Sequence, residues 1–492
     1  MTFIDTITNI NDAINGVVWG WPALILLGGV GILMTILTKF FQLTHFKHWW
    51  KQTIGAIFND KNVTSHTKDK TISQFQSLCT ALAATVGTGN IVGVASAIAI
   101  GGPGAVFWMW IIAFFGMMTN YSENVLGILY RIKGDKGEWH GGAMYYLKDG
   151  LGAKKGCKQI GSILAILFSC FCLLASFGIG NMSQVNSMVS NIVSAGKNLG
   201  VSIPNIAVGI FLFIAVSAVV VGGIKRIATV TEKIVPFMVI LYTLGTIVVI
   251  VTHIENVPAV FALIFKGAFA MKSISGGIIG SSIALAMKQG FKRGVFSNEA
   301  GLGSSVMVHS SSNVKEPVQQ GMWGIFEVFA DTVVVCTLTA LTLLCSGAVD
   351  LTTGVIVVET EYSSLMSWVF ANQFGSIGSV FIALAILLFA YSTVLGWSHY
   401  GATACRYLFK SSKSVQLYRV IFCAIVLAGS VMTAQLAWDI SDTFNGLMML
   451  PNLVGVLALS PQVAKCTQNY VDRILHGKDE KAMLTMREDL KN

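Results

Sequence analysis

The sequence has little charge. Charged residues make up 12% of the 492 residues, about half of the roughly 25% that soluble globular proteins carry. Hydrophobic residues make up 54%, and the mean hydropathy is +0.68. This shortage of charge excludes a soluble enzyme and a nucleic-acid-binding protein. Because the apolar residues suffice for about ten or eleven spans of roughly 20 residues each, we predict a polytopic protein of the lipid bilayer, with no nucleic-acid partner.

Several motifs are also missing. The nine cysteines show no paired spacing, and Cys170, Cys172 and Cys336 lie in apolar stretches, which indicates small buried residues and excludes a domain built on disulfides. The sequence lacks His-Glu-x-x-His and Gly-x-Ser-x-Gly motifs, and it lacks the Gly-x-x-x-x-Gly-Lys-Ser/Thr loop of ATP-driven pumps. We therefore expect no enzyme activity. The first lysine is Lys39, so we expect no cleaved signal peptide.

Eleven apolar runs have the length of a membrane span. If the N-terminus lies outside the cell, the intervening segments place 30 of the 33 lysines and arginines on the inside, and this bias holds at every loop. We therefore predict a multi-pass protein of the cell membrane with a cytoplasmic C-terminus. The runs are 17–38, 77–100, 104–130, 160–193, 205–222, 234–252, 258–287, 322–347, 377–409, 417–435 and 440–460.

The spans divide into one extra N-terminal helix and two groups of five. Because five is odd, the two groups enter the membrane from opposite sides, as inverted repeats do. The predicted fold is all-α, with eleven transmembrane helices in a five-plus-five inverted repeat of the amino-acid-transporter type. The predicted units are an N-terminal helix and connector (1–76), two repeats (77–252 and 258–460) and a cytoplasmic tail (461–492).

Glycine interrupts the first span of the first group. The run from Ala84 to Asn90 holds Gly87 and Gly89 beside Thr85 and Thr88, and each glycine weakens a helix by about 1 kcal/mol relative to alanine. Unwound backbone at bilayer depth is tolerated where it lines a polar cavity. Its carbonyls suit Na⁺, and its amides suit a substrate carboxylate. The alternative is that the two glycines only permit close helix packing.

A second interruption is expected in the second group. The preferred position is 275–282, which includes Gly276, Gly277 and Ile278. The alternative is 290–294, which would bring three cations near the middle of the membrane at a cost of several kcal/mol each. With the break at 275–282, the cations lie instead at the cytoplasmic edge. They are Lys288, Lys292 and Arg293.

Polar side chains in three further places are candidates for the site. Asn181 and Gln184 share a helix face, either to bind a zwitterion or to join two helices. Ser392 and Thr393 can complete an oxygen cage around Na⁺, and Trp397 either caps a small pocket or packs in the core. The turn-rich stretch 292–305 is either an inner gate or a capped loop; its candidates are Arg293, Asn298 and Glu299.

Three acidic residues complete the list of candidates. Glu123, Glu327 and Asp331 lie near the predicted inner ends of spans. Ion pairing is the simpler interpretation of these acids, and proton coupling is the alternative.

Three separated motifs resemble the alanine or glycine:cation symporter family. They are residues 84–95, 141–146 and 294–304, and the resemblance covers roughly 20–465. Ala143 stands where that family usually has proline. The resemblance implies substrate contacts from the first break, Gln184, the second break and Trp397. It also implies that Na⁺ lies between carbonyls of the first break, such as those of Ala84 and Gly87, and the hydroxyls of Ser392 or Thr393.

The resemblance implies Na⁺-coupled uptake of alanine or glycine by alternating access. Na⁺ is then the coupling ion, and no organic cofactor is expected. The alternatives are an H⁺-coupled amino-acid symporter and an amino-acid sensor that does not transport. The sequence predicts no particular oligomeric state.

Overall fold

The computed structural model describes residues 3–66, 71–134, 137–269, 283–432 and 434–485. Nearly all of this is helical, because apolar segments of spanning length can satisfy their backbone hydrogen bonds in lipid only as helices. The first helices are α1 (Phe3–Val18), α2 (Trp21–Leu37), α3 (Phe41–Thr44), α4 (Phe46–Trp50), α5 (Ala56–Asn59), α6 (Lys61–Thr64), α7 (Gln74–Thr85), α8 (Val94–Gly101) and α9 (Gly104–Tyr130).

A short antiparallel hairpin follows α9. Its strands are β1 (Ile132–Lys133) and β2 (Trp139–His140), paired with Ile132 opposite His140. The next helices are α10 (Ala143–Tyr145), α11 (Lys158–Phe177), α12 (Ser183–Asn198), α13 (Asn205–Val220), α14 (Gly223–Thr252) and α15 (Val257–Ala268).

The remaining helices include the longest in the chain. They are α16 (Ile283–Asn298), α17 (Val306–His309), α18 (Pro317–Val328), α19 (Thr337–Cys345), α20 (Leu365–Phe409), α21 (Ser412–Val431) and α22 (Ala434–Ile474). Gly375 has φ 59° and ψ −139°, so α20 is kinked there. Short 3₁₀ segments precede α15 and α20 at Ile254–Asn256 and Tyr362–Ser364.

Five π-helical segments occur within the described part of the chain. They connect pairs of α-helices and widen the turn locally, which exposes backbone groups to other partners, and such segments are frequent at functional sites. They are Lys51–Gly55, Gly89–Gly93, Tyr146–Leu151, Gly178–Met182 and Phe329–Cys336.

Eight helical segments within the described residues are long and apolar enough to cross a membrane. They are Asn9–Leu37, Gly104–Tyr130, Lys158–Asn198, Gly223–Thr252, Pro317–Cys345, Tyr362–Phe409, Ser412–Val431 and Ser441–Ile474. A ninth consists of Gln74–Thr85 and Gly89–Gly101, two helices bent by 50°. This confirms the all-α polytopic class, and the predicted count of eleven spans stays a prediction.

The packing of α16 and α17 against α9 shows which way they run. Close contacts pair Gly290 with Ala105, Gly294 with Ile112, Gly116 with Ala300 and Gly127 with Val306. The segment α16–α17 and the helix α9 therefore run in the same direction across the membrane. We call the face where α9 begins the outer face and the face where it ends the inner face, as the charge bias predicts.

Candidate substrate and cation site

The first predicted break is present and lies between α7 and the π-helical segment Gly89–Gly93. Ser73 caps α7 at its start, in a capping box with Gln76. The helix ends at Val86, whose ψ of 85° is not helical. The amide of Gly87 donates to Asn90 Oδ1 at 2.9 Å, so the Asn90 side chain takes the place of the missing helical acceptor. The break is thereby held in a defined shape.

Gln184 approaches this break from α12. Its Oε1 accepts hydrogen bonds from the amide and the hydroxyl of Thr88, at 3.2 and 2.9 Å. Its Nε2 donates to the Ile179 carbonyl at 3.0 Å, in the π-helical segment Gly178–Met182. Asn181 points elsewhere, because its amide donates to the Phe422 carbonyl on α21 at 2.7 Å. Only Gln184 of the predicted amide pair therefore faces the break in this structure.

Thr393 on α20 lies against the end of α7. Its Oγ1 donates to the carbonyls of Ala83 and Phe389, both at 3.0 Å. A Cβ built on Gly87 would lie 2.3 Å from Thr393 Oγ1, so only glycine fits at this contact. The structure thus brings two of the four predicted Na⁺ positions, Gly87 and Thr393, into contact, and Ala84 packs nearby on Gly396. The Ser392 hydroxyl donates to the Phe389 carbonyl at 2.8 Å and lies 3.3 Å from Met238 Sδ on α14.

Asp331, which the sequence analysis considered for ion pairing or proton coupling, lies beside the break. Asp331 Oδ1 accepts from Asn90 Nδ2 at 2.7 Å, and its Oδ2 accepts from the hydroxyls of Ser297 and Thr332 at 2.8 Å. Asn298 Nδ2 donates to the Thr332 hydroxyl at 3.0 Å. These partners carry no charge, so they leave the carboxylate charge unbalanced.

Cys336 lies beside the same carboxylate. Its Sγ is 3.2 Å from Ser297 Oγ and 3.4 Å from Asn90 Nδ2. Both Asp331 and Cys336 belong to the π-helical segment Phe329–Cys336. The signal that singled out Asp331 in the sequence is an acidic residue near the end of an apolar run, which is a functional hypothesis by default in a membrane.

A second interruption separates α16 from α17. Glu299, Gly301 and Gly303 all have positive φ, at 57°, 96° and 71°, a region that glycine adopts readily and that other residues rarely enter. Glu299 Oε1 accepts from Trp397 Nε1 at 2.7 Å, and Ser304 donates to its other oxygen. Trp397 packs on Gly180, where a built Cβ would lie 2.3 Å from the Trp397 Cβ. Trp397 therefore links the second interruption to the π-helical segment Gly178–Met182.

The break preferred from the sequence, 275–282 with Gly276, Gly277 and Ile278, lies outside the described residues. The interruption at 299–305 falls in the stretch that the sequence analysis placed at the inner mouth. Asn298 and Glu299 lie instead in the interior of the protein, and both are at most 1% exposed. Glu299 is held by Trp397 and Ser304, whereas Arg293 pairs with Asp442.

Arg293 lies on the outer side of the second interruption, which corrects its predicted place at an inner gate. Its Nη1 is 3.2 Å from Asp442 Oδ1, and Lys292 Nζ is 2.6 Å from Asp442 Oδ2. The guanidinium also lies 5.4 Å from the ring of Trp438, which stacks on Phe296 at 5.0 Å. We call these five residues the outer plug. They cover the first break, because Phe296 packs directly on Gly89.

The polar candidates at the first break are closed off from solvent. Thr85, Thr88, Asn90, Gln184, Ser392, Thr393 and Trp397 are each no more than 3% exposed. The Thr85 hydroxyl bonds within its own helix, to the Ala81 carbonyl at 3.2 Å. The arrangement is a buried cluster of polar groups at the meeting point of two interrupted helices, made of a carboxylate, hydroxyls and amides, and we call this cluster the chamber. Such a chamber suits a small zwitterion together with a cation.

The sequence matches a known family over almost its whole length. The profile described as the sodium:alanine symporter family matches residues 4–484. The chain belongs to this family. It is 40% identical to the sodium/alanine symporter AgcS of Methanococcus maripaludis, over 93% of this chain and 96% of that protein. It is 37% identical to the probable sodium/glutamine symporter GlnT of Bacillus subtilis, over 94% and 91%.

A solved structure supports the fold independently. MhsT, crystallised with L-phenylalanine, superposes with a TM-score of 0.55 at 12% identity, over 82% of this chain and 99% of that one. At this identity the similarity shows the fold alone. The family resemblance and the amino-acid-transporter fold expected from the sequence are thus confirmed.

Proposed function

We propose that this transporter couples the entry of Na⁺ to the uptake of a small neutral amino acid, alanine or glycine, by alternating access. The observation that carries the proposal is the chamber, in which Gln184 and Asp331 each bond to the first break. Family membership makes the protein a transporter and suggests Na⁺ as its coupling ion. The relatives differ in their named substrates, alanine for AgcS and glutamine for GlnT, so the amino acid is part of the proposal.

In the proposed mechanism Na⁺ binds between the α7 end and α20. The hydroxyls of Ser392 and Thr393 and the carbonyls of Ala84 and Gly87 are hard oxygen ligands, which Na⁺ prefers to nitrogen or sulfur. Asp331 lies on the far side of Asn90 and contributes a negative charge that stabilises cations in this buried chamber, where water screens charge weakly. Na⁺ then fixes the shape of the unwound backbone.

The substrate binds where that shape places donors. The amides of the break lie at the positive end of the second half-helix, which favours the substrate carboxylate. Gln184 can accept from the substrate ammonium through the oxygen that holds Thr88 in this structure. Trp397 closes the chamber on its other side and limits the side chain to a small one.

Alternating access requires that each side of the chamber open in turn. The outer plug closes the outer side in the present conformation, and its release would open that side. Na⁺ must bind the outward-facing and substrate-loaded states better than the empty inward-facing one, because coupling is a difference in affinity between states. We place the N-terminus outside and the C-terminus in the cytoplasm. When Lys288, Lys292 and Arg293 are assigned to the outer half, 27 of the 33 lysines and arginines still lie on the inner side.

A proton is the second candidate for the coupling ion. Glu299 and Asp331 are carboxylates at the two interruptions, and both are at most 1% exposed. Either could carry a proton in place of Na⁺ during transport. This alternative predicts uptake driven by a pH gradient without Na⁺.

Uptake in proteoliposomes tests the proposal. Radiolabelled alanine is supplied with an inward Na⁺ gradient, an equal choline gradient or an inward proton gradient. We expect accumulation only with Na⁺, and competition by unlabelled glycine. Accumulation that depends on no cation gradient would refute the coupling. Accumulation with the proton gradient alone would favour the second candidate, and binding without accumulation would favour the sensor alternative.

A further inference from the structure

A basic groove opens on the inner face, away from the substrate chamber. It consists of two adjoining cavities of about 390 and 810 Å³, which share Glu138, His140, Gly222, Arg406 and Arg419 in their walls. Glu138 and His140 belong to the hairpin β1–β2. Arg406 belongs to α20, and Arg419 belongs to α21. The groove therefore joins segments far apart in the chain.

The charges around the groove are strongly one-sided. The described lining includes two carboxylates, Glu138 and Asp149. Glu138 is engaged, because Arg406 Nη1 lies 3.3 Å from its Oε1. The cations outnumber these acids three to one; they are Lys133, Lys148, Lys225, Arg406, Lys410 and Arg419. Bringing like charges to one cavity raises its affinity for an anion with several oxygens, since guanidinium groups match phosphate geometry.

The surface beside the groove is apolar and exposed. Val221, Leu417 and Val420 are 66%, 61% and 66% exposed, at the inner ends of spans that face lipid. Arg419 lies within α21 between the last two, and it donates to the Val221 carbonyl at 3.4 Å. A ligand in this place meets cations on one side and hydrocarbon-facing side chains on the other. That combination fits a phospholipid better than a free phosphate.

We propose that this groove binds the phosphate headgroup of an anionic phospholipid of the inner leaflet, with its acyl chains along Val221, Leu417 and Val420. Basic pockets between helices on the cytoplasmic side are suited to such headgroups. The phosphate lies near Arg406 and Arg419. Because Arg406 also holds Glu138, the bound lipid ties the hairpin to α20 and α21.

Lipid binding to the purified full-length protein tests this inference. Native mass spectrometry compares phosphatidylglycerol with phosphatidylcholine, and thermal unfolding is followed with each lipid and with inorganic phosphate. The double variant Arg406→Gln/Arg419→Gln removes two cations of the groove, and Arg419→Gln alone spares the Glu138 pair. Lys47→Gln/Lys51→Gln is the matched control, because both lysines are exposed on the same face outside the groove.

We expect phosphatidylglycerol to bind in preference to phosphatidylcholine and to raise the unfolding temperature, since a ligand of the folded state stabilises it. The double variant should bind it about 30-fold more weakly, which corresponds to about 2 kcal/mol for two cations. Arg419→Gln should lose part of this affinity, and the lysine control should keep it. Equal binding of both lipids, equal losses in variant and control, or stabilisation by inorganic phosphate alone would overturn the assignment.

Discussion

The contact of Gly87 with Thr393 gives the sharpest test of the chamber. In Gly87→Ala the new methyl group would lie 2.3 Å from Thr393 Oγ1 and 3.3 Å from Gln184 Oε1. Neither neighbour can move freely, because Thr393 bonds to two carbonyls and Gln184 holds Thr88. Overpacking of this kind costs about 1–3 kcal/mol. At about 2 kcal/mol, the native geometry of the break is populated roughly 30-fold less.

A double-mutant cycle separates this steric effect from loss of a ligand. Thr393→Ala removes the atom that the methyl group strikes, and it also removes a proposed Na⁺ ligand. In the double variant Gly87→Ala/Thr393→Ala, the alanine at 87 should therefore lower uptake and stability little below those of Thr393→Ala. In the parent protein, Gly87→Ala should lower both strongly. The coupling between the two changes should be about 1–2 kcal/mol, in the range seen for residues in contact.

The assays are Na⁺-dependent alanine uptake in proteoliposomes and the thermal unfolding midpoint in detergent. Gly29→Ala is the matched control, because a Cβ on Gly29 of α2 meets nothing within 4 Å. We expect it to transport normally. Gly87→Ala with normal uptake and stability would refute the reasoning, as would strictly additive losses in the double variant.

Three further changes probe the chamber and the outer plug. Gln184→Ala leaves two buried donors without an acceptor, at about 1–3 kcal/mol, and should lower the uptake rate at low alanine about 10- to 100-fold. Asp331→Asn removes the carboxylate charge and should raise the Na⁺ concentration for half-maximal uptake about tenfold or more, with a smaller change for alanine. Asp442→Asn leaves Arg293 buried without its partner, at about 3–5 kcal/mol, and should lower the unfolding midpoint.

Each of these changes has a control, either a conservative change at the same residue or removal of its charged partner. Gln184→Glu keeps an acceptor for Thr88 and should retain more uptake than the alanine variant. Asp331→Glu keeps the charge, so Na⁺ dependence should be closer to that of the parent protein. Removing both members of the plug pair, in Asp442→Asn with Arg293→Met, should restore part of the lost stability. Equal effects of variant and control would argue against the assigned roles.

The sequence predicted the first break because its cause is local. Gly87 and Gly89 beside Thr88 and Asn90 weaken the helix within one turn, and the structure interrupts it there. The sequence also singled out Ser392 and Thr393 as candidates, since they are adjacent polar residues in an apolar run. The approach of Thr393 to Gly87 depends on packing across about 300 residues, and only the fold supplies it.

The predicted break at 275–282 lies outside the described residues, and the interruption at 299–305 was harder to predict because its determinants are distant. Buried cations are costly, so the sequence analysis placed Lys292 and Arg293 at the inner edge. The structure keeps them in the outer half by pairing both with Asp442, about 150 residues further along the chain. A local signal did exist, since Gly301 and Gly303 follow Glu299 in a stretch dense in turn-forming residues. The cost of unpaired charge was given more weight than this signal.

The buried thiol of Cys336 is placed to report on the opening that the proposed alternating access requires. It lies 3.2 Å from Ser297 and within reach of Asn90, so a membrane-permeant alkylating reagent can reach it only when the chamber opens. Ligands that hold the chamber shut should protect it, and the rate of labelling should rise and fall with the fraction of open molecules. The opening of the chamber can then be timed at this native cysteine, without engineering a new one.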